Sequence, residues 1–164
     1  MLSFGKEIKN FDQNTFLDVK INSIVNNYKK IQNEVSKNCE VAATVKADAY
    51  GLGIMPIAKS LIKSKCNVFF VATLTEGIEL RNINKRISIY VLNGLNNNNA
   101  KIFFTNKIIP VVNDLSQLKK AESFSLKNKK ALKIALHFDT GMSRLGLDGN
   151  QTKFLLNNKE SLIK

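Results

Sequence analysis

Five short apolar segments recur along this chain, and a helical stretch separates each from the next. They are EVAATV (40–45), NVFFVAT (67–73), ISIYVL (87–92), IIPVV (108–112) and LKIALHF (132–138). This alternation constrains the fold most, because strands joined through helices pair in parallel by right-handed crossovers. The segments are apolar throughout rather than at every second residue, the pattern of strands covered on both faces. Two architectures satisfy it: an open doubly wound sheet, complete at five strands, or a (β/α)8 barrel. A whole barrel takes about 250 residues, so a chain of 164 residues would hold a little over half of one. Periodicity alone does not choose between them.

The intervening helices carry their own signals. Ile21, Ile24, Val25, Tyr28, Ile31 and Val35 recur at helical spacing, with Asn22 as an N-cap. A second helix runs through Ile57, Ala58, Leu61 and Ile62, with Pro56 tolerated in its first turn. Thr73 and Glu76 have the spacing of a capping box ahead of Ile78 and Leu80. NNNNAKIFFTN (96–106) reads as a short helix. Leu115, Leu118 and Ala121 share a helix face with Asn113 or Asp114 as cap, and a last helix runs from Gln151 through Phe154 and Leu155 to Lys164.

Charge raises a competing idea. Lys and Arg number 25 against 13 Asp and Glu, a net charge of +12, which would draw nucleic acid or an anionic membrane. The cations are nearly all lysines scattered along helices, with only Arg81, Arg86 and Arg144 as arginines. Base readout favours arginine, and single-strand binding interleaves aromatics with charge. Neither pattern occurs, so nucleic acid is set aside. No apolar run would span a bilayer, and MLSFGKEIKNFDQN lacks a secretory leader. Cys39 and Cys66 lack metal-type spacing and read as free, buried thiols. A soluble cytoplasmic protein of one domain, 1–164, is expected.

Two loops at strand C-termini, where α/β folds build their sites, could carry chemistry. In VKADAYGLG (45–53), Gly51 and Gly53 permit tight backbone geometry beside a ligand, without the ending of a Walker loop or the GxGxxG spacing. Lys46 would close the strand with its amine at the mouth of the sheet. Partial desolvation there makes a lysine a nucleophile, although a strand-end lysine is more commonly solvated. In HFDTGMSRLGL (137–147), Arg144 suits bidentate capture of a carboxylate or phosphate, or else a salt bridge with Asp139 or Asp148. His137, the sole histidine, is either a general base or a hydrogen-bonded core residue. A third loop, ATLTEGIELR (72–81), reads as helix capping plus a charged helix face, without chemistry.

Together the two loops carry a resemblance. VKADAYGLG resembles the pyridoxal phosphate (PLP) lysine signature of alanine racemases, and DTGMSRLG (139–146) resembles that family's second signature. FLDVKINSIVNNYKKI, VATLTEGIELR and IYVLNG are similar to further family segments, in the same order. The resemblance implies a fold-type III PLP enzyme, with a (β/α)8 barrel, a C-terminal β domain and a homodimer sharing its active sites. This chain would hold about five β/α units of that barrel and lack the β domain, as an N-terminal fragment or truncated gene with little activity of its own. Lys46 would bind PLP as an imine and serve as one of two acid/base groups. Tyr50 would hydrogen-bond the PLP phosphate, Leu92 would line the pocket, and Arg144 would meet the PLP phenolic oxygen and the substrate carboxylate. The reaction implied is interconversion of L- and D-alanine, which supplies D-alanine for peptidoglycan. The alternatives are a serine or broad-specificity racemase and a non-catalytic PLP-binding module. The sequence departs from the family at Leu52, usually histidine, and at His137, where many members carry a carbamylated lysine that helps to position the arginine.

Overall fold

The computed structural model describes residues 17–96 and 98–158. Its strands are β1 (Ala43–Thr44), β2 (Val68–Val71), β3 (Ser88–Val91), β4 (Ile109–Val112) and β5 (Ala135–Leu136). They form one five-stranded sheet in the order β1-β2-β3-β4-β5. Every pairing is parallel, with Phe69 beside both Ala43 and Ile89, Tyr90 beside Ile109, and Val111 beside Ala135. A doubly wound sheet begins at an inner strand and reverses direction. Here β1 lies at an edge and each strand adds next to the last, so the strands form an arc of a (β/α)8 barrel.

The helices are α1 (Ile21–Glu34), α3 (Ile54–Lys63), α4 (Leu74–Ile83), α5 (Ala100–Asn106), α6 (Leu115–Asn128) and α7 (Gly149–Asn157), with a short segment α2 (Lys46–Tyr50). The core lies between the helices and one face of the sheet. Phe69, Val71, Ile89 and Val91 of that face are buried with Ile57, Leu61, Leu80 and Phe103 of the helices. The strands are therefore less symmetric than their composition suggests. Phe70 and Tyr90, on the other face, are only half-buried and stack with ring centroids 4.9 Å apart. β1 and β5 are shorter than their apolar segments because each has one neighbour to pair with.

Several local details differ from expectation. Helix α1 opens at Ile21 after Lys20, which leaves Asn22 inside the helix rather than capping it. Packing of Tyr28, whose hydroxyl donates to the Val41 carbonyl at 3.1 Å, fixes this helix more strongly than a cap preference would. Asp114, not Asn113, caps α6 by accepting from the Gln117 amide at 2.9 Å. Helix α7 starts at Gly149 behind an Asp148 cap, and the expected extension to Lys164 lies outside the described residues. The capping box of Thr73 and Glu76 is formed.

Arg81 is no part of a charged helix face. It is 6 % exposed, and its guanidinium donates to the carbonyls of Asn106, Asn84, Ile87 and Lys107. Burial lowers its affinity for the proton, and the carbonyl ring compensates the buried charge. Cys66 is buried as expected, but Cys39 is exposed, because it follows the end of α1 in a surface turn.

Candidate active site

Parallel strands bring all five C-terminal ends to one rim, and the connections after β1, β2, β3 and β5 line a cavity of about 450 Å³ there. Its walls include Lys46, Leu92, Asn93, His137, Asp139 and Arg144. A cavity of about 370 Å³ beside Arg81, Ser88 and Leu132 lies at the opposite ends of the strands, where barrels invest in stability rather than chemistry.

Lys46 is held by an unusual piece of backbone. Ala47, Asp48, Ala49 and Tyr50 all have positive φ, from 51° to 57°, and Gly51 continues the run at 80°. Left-handed geometry costs a non-glycine residue roughly 1–2 kcal/mol. Four in succession approach the scale of a domain's net stability, about 5–15 kcal/mol. The turn is correspondingly well tied. The Ala49 amide donates to the Val45 carbonyl, Gly51 to Ala47 and Gly53 to Asp48, at 2.8–3.0 Å. Asp48 Oδ1 accepts from the Ile54 amide at 2.7 Å, which places a carboxylate on the N-terminus of α3. Glu76 Oε1 accepts from the Ala47 amide at 2.6 Å. Val45 and Ala49 are buried while Tyr50 remains 62 % exposed. The Lys46 amine sits 5.9 Å from the Tyr50 ring centroid, so these two expected site residues are adjacent, although Tyr50 stands outside the cavity wall.

The Arg144 loop closes on itself. Leu147 donates its amide to the His137 carbonyl at 2.7 Å, and Asp139 donates its amide to Leu147 at 3.0 Å. Asp139 Oδ1 accepts from the amides of Gly141 and Ser143 at 3.0 and 2.9 Å, and these bonds, with that from Ser143 foremost, hold its carboxyl below the usual range. Gly146 is required by φ 109° and by space, since a Cβ there would stand 2.8 Å from the Asp139 nitrogen. The salt bridge considered for Arg144 does not form. Asp139 is occupied within its loop, Asp148 caps α7, and the exposed guanidinium lines the cavity.

His137 joins this rim through Asn113. The buried Asn113 donates Nδ2 to the carbonyls of Leu92 and Val111 at 2.8 and 3.1 Å. That fixes its amide, so Oδ1 is the acceptor facing His137 Nδ1 at 2.8 Å. Neutral His137 therefore carries its proton on Nδ1, which leaves Nε2 without a partner among the described residues. The hydrogen-bonded reading of His137 is the one the structure supports.

Sequence reasoning passed over two residues. Asn113 was a candidate cap with no hint of its links to β3 and β5. Glu76 was legible as half of a capping box, but no spacing rule announces a contact with Ala47, 29 positions earlier.

The family profile "Alanine racemase, N-terminal domain" matches residues 19–161. The chain belongs to this family. Among similar proteins, an alanine racemase of Rickettsia prowazekii is 43 % identical over 147 residues, covering 89 % of this chain and 36 % of that protein. Another from Rickettsia typhi is 40 % identical over the same length. A crystal structure of alanine racemase from Bartonella henselae, with covalently bound pyridoxal phosphate, superposes with a TM-score of 0.81 at 34 % identity, over 85 % of this chain and 40 % of that one. The arc is thus the N-terminal barrel domain of the alanine racemase family, and the chain spans about two fifths of the length of these relatives. No helix among the described residues is long and apolar enough to cross a membrane.

Proposed function

We propose that this chain provides the cofactor-carrying part of a fold-type III alanine racemase, with pyridoxal phosphate joined to Lys46. The observation that supports it is a single cavity bounded by a lysine amine on a strained, tied turn and an arginine without a partner among the described residues. These groups suit the cofactor: a primary amine to condense with an aldehyde, cationic and hydroxyl donors for its phenolic oxygen and phosphate, and an apolar wall.

Tyr50 binds the phosphate from beside Lys46, Leu92 supplies the apolar wall, and Arg144 takes the phenolic oxygen and the substrate carboxylate, for which its planar fork is suited. When bound, pyridoxal phosphate supplies an electron-accepting ring for the pair left as the Cα–H bond breaks. Lys46 holds or returns the proton on one face of that carbon. Racemisation needs an acid/base group on each face, and the proposal places the second outside the described residues, in a homodimer of the longer protein. Residues 1–164 act in this reading as one barrel unit of a cytoplasmic enzyme that supplies D-alanine for peptidoglycan. Tested by itself, the chain is expected to racemise alanine far more slowly than the protein extended to the length of its relatives. Equal rates would overturn that part of the proposal.

Borohydride reduction after incubation with pyridoxal phosphate, followed by peptide mapping, tests the assignment of Lys46. The expected result is a stable label concentrated on Lys46, absent in Lys46→Ala while scattered labelling of other lysines persists. A label spread over surface lysines and unchanged by Lys46→Ala would sink it.

A further inference from the structure

Glu76 makes more bonds than a capping residue needs. Its Oε2 accepts from the amides of Ala72 and Thr73, both at 2.9 Å, which already completes the box on α4. The other oxygen, Oε1, reaches across to the Ala47 amide at 2.6 Å. One carboxylate thus joins two loops: the left-handed turn that follows β1 and the β2–α4 connection, whose Ala72 forms part of the cavity wall. Partial burial pushes this carboxyl up, but the amides of Thr73, Ala47 and Ala72 together outweigh that and leave it below the usual range.

We infer that Glu76 is a positioning residue for Lys46: its carboxylate clamps the amide next to Lys46 and so fixes where the amine stands in the cavity. The inference rests on the reading of Lys46 as the cofactor-bearing amine. Ala47 begins the left-handed run, whose backbone would relax toward ordinary φ if released. The amine hangs from the residue just before that run, so relaxation displaces it directly. Only a carboxylate meets the demand. It offers acceptors on both oxygens, whereas glutamine has one acceptor and would turn an NH2 group toward an amide N–H. Glu76→Gln should therefore keep its oxygen on the two amides of the α4 cap and lose the single bond of the Ala47 clamp.

The experiment compares Glu76→Gln with Thr73→Ala, which removes the other half of the capping box and leaves the clamp in place. Two quantities are read in each protein: hydrogen exchange at the Ala47 amide, and the rate at which pyridoxal phosphate with borohydride labels Lys46 relative to surface lysines. In Glu76→Gln the Ala47 amide should exchange about tenfold faster or more, as expected for loss of a hydrogen bond to a charged group, with Lys46 labelling slowed similarly. Thr73→Ala should lower the melting temperature while leaving both readouts near those of the unmodified chain. The inference fails if Glu76→Gln leaves Ala47 exchange and Lys46 labelling unchanged, or if Thr73→Ala slows the labelling equally. If the unmodified chain shows no preference for Lys46, the functional reading fails, and Ala47 exchange still decides whether Glu76 holds the turn.

Discussion

The turn after β1 and the loop after β5 face each other across the same cavity, yet they are built on opposite principles. The first is strained and, beyond the backbone bonds within the turn, is held from outside, by Glu76 of α4 and by the N-terminus of α3 through Asp48. The second is held from within, by Asp139 and the paired backbones of His137 and Leu147. External ties make the position of Lys46 a property of the whole domain. Internal ties leave Arg144 exposed on a long stem, placed by its own loop. In the function proposed above, the tied turn would hold the amine in place for a covalently held cofactor, and the exposed guanidinium would serve that cofactor and the exchanging substrate.

Three measurements would break or sharpen this contrast. Gly146→Ala carries the largest expected effect. A Cβ at φ 109°, pressed on Asp139, should cost about 1–3 kcal/mol as stored strain. It should loosen the Ser143 and Gly141 amides without altering exchange at Ala47. Spread of the disturbance to Ala47 would show that the two loops are not independent. Asp48→Ala comes next. Loss of the carboxylate on the Ile54 amide should cost about 1 kcal/mol, the usual worth of an N-terminal cap. Because the turn is held from outside, both Ile54 and Gly53 should exchange faster, whereas the Arg144 loop should be unaffected.

The smallest effect is a pH dependence. Glu76 has a lowered carboxyl, so below the ordinary glutamate value of about 4.3 the unfolded chain binds the proton more readily than the folded one. Its contribution is therefore full above that value and is lost as pH falls through the lowered one. Melting temperature across this range should fall more steeply for the unmodified chain than for Glu76→Gln. Identical slopes would mean that the clamp contributes nothing. Asp139, whose carboxyl is also lowered by bonds within its own loop, should show itself only locally, through Gly141 and Ser143 amide shifts that titrate below the usual aspartate range.

Much of this was legible in the sequence because it depends on local pattern. All five strands lie inside the apolar segments, and the capping box of Thr73 and Glu76 is where its spacing placed it. Lys46 and Arg144 stood at strand ends, and parallel pairing made their meeting in one cavity a consequence of topology. What escaped is long-range. Strand order, not periodicity, separates a barrel arc from an open sheet. Ala47 to Tyr50 contain no glycine to advertise their handedness, because tertiary ties impose it. Arg81 looked like surface charge, since the carbonyls that justify its burial come from other segments. Asn113 has ordinary cap chemistry and was outcompeted for that role by its neighbour Asp114.

Asn113 also sets a dimension. Its side chain bonds to Leu92 beyond β3 and to His137 beyond β5, where the last ladder pairing, Val112 with Leu136, has already ended. Past that rung a backbone bond still ties the His137 amide to Val112 at 3.0 Å, and the Asn113 side chain adds a tie from β4 to both neighbouring strand tips. The aperture of the cavity on this side is thus set by these backbone bonds together with one side-chain amide. Aspartate would match asparagine in length yet turn an oxygen toward two carbonyls, so the jaw would widen and the imidazole would swing with it.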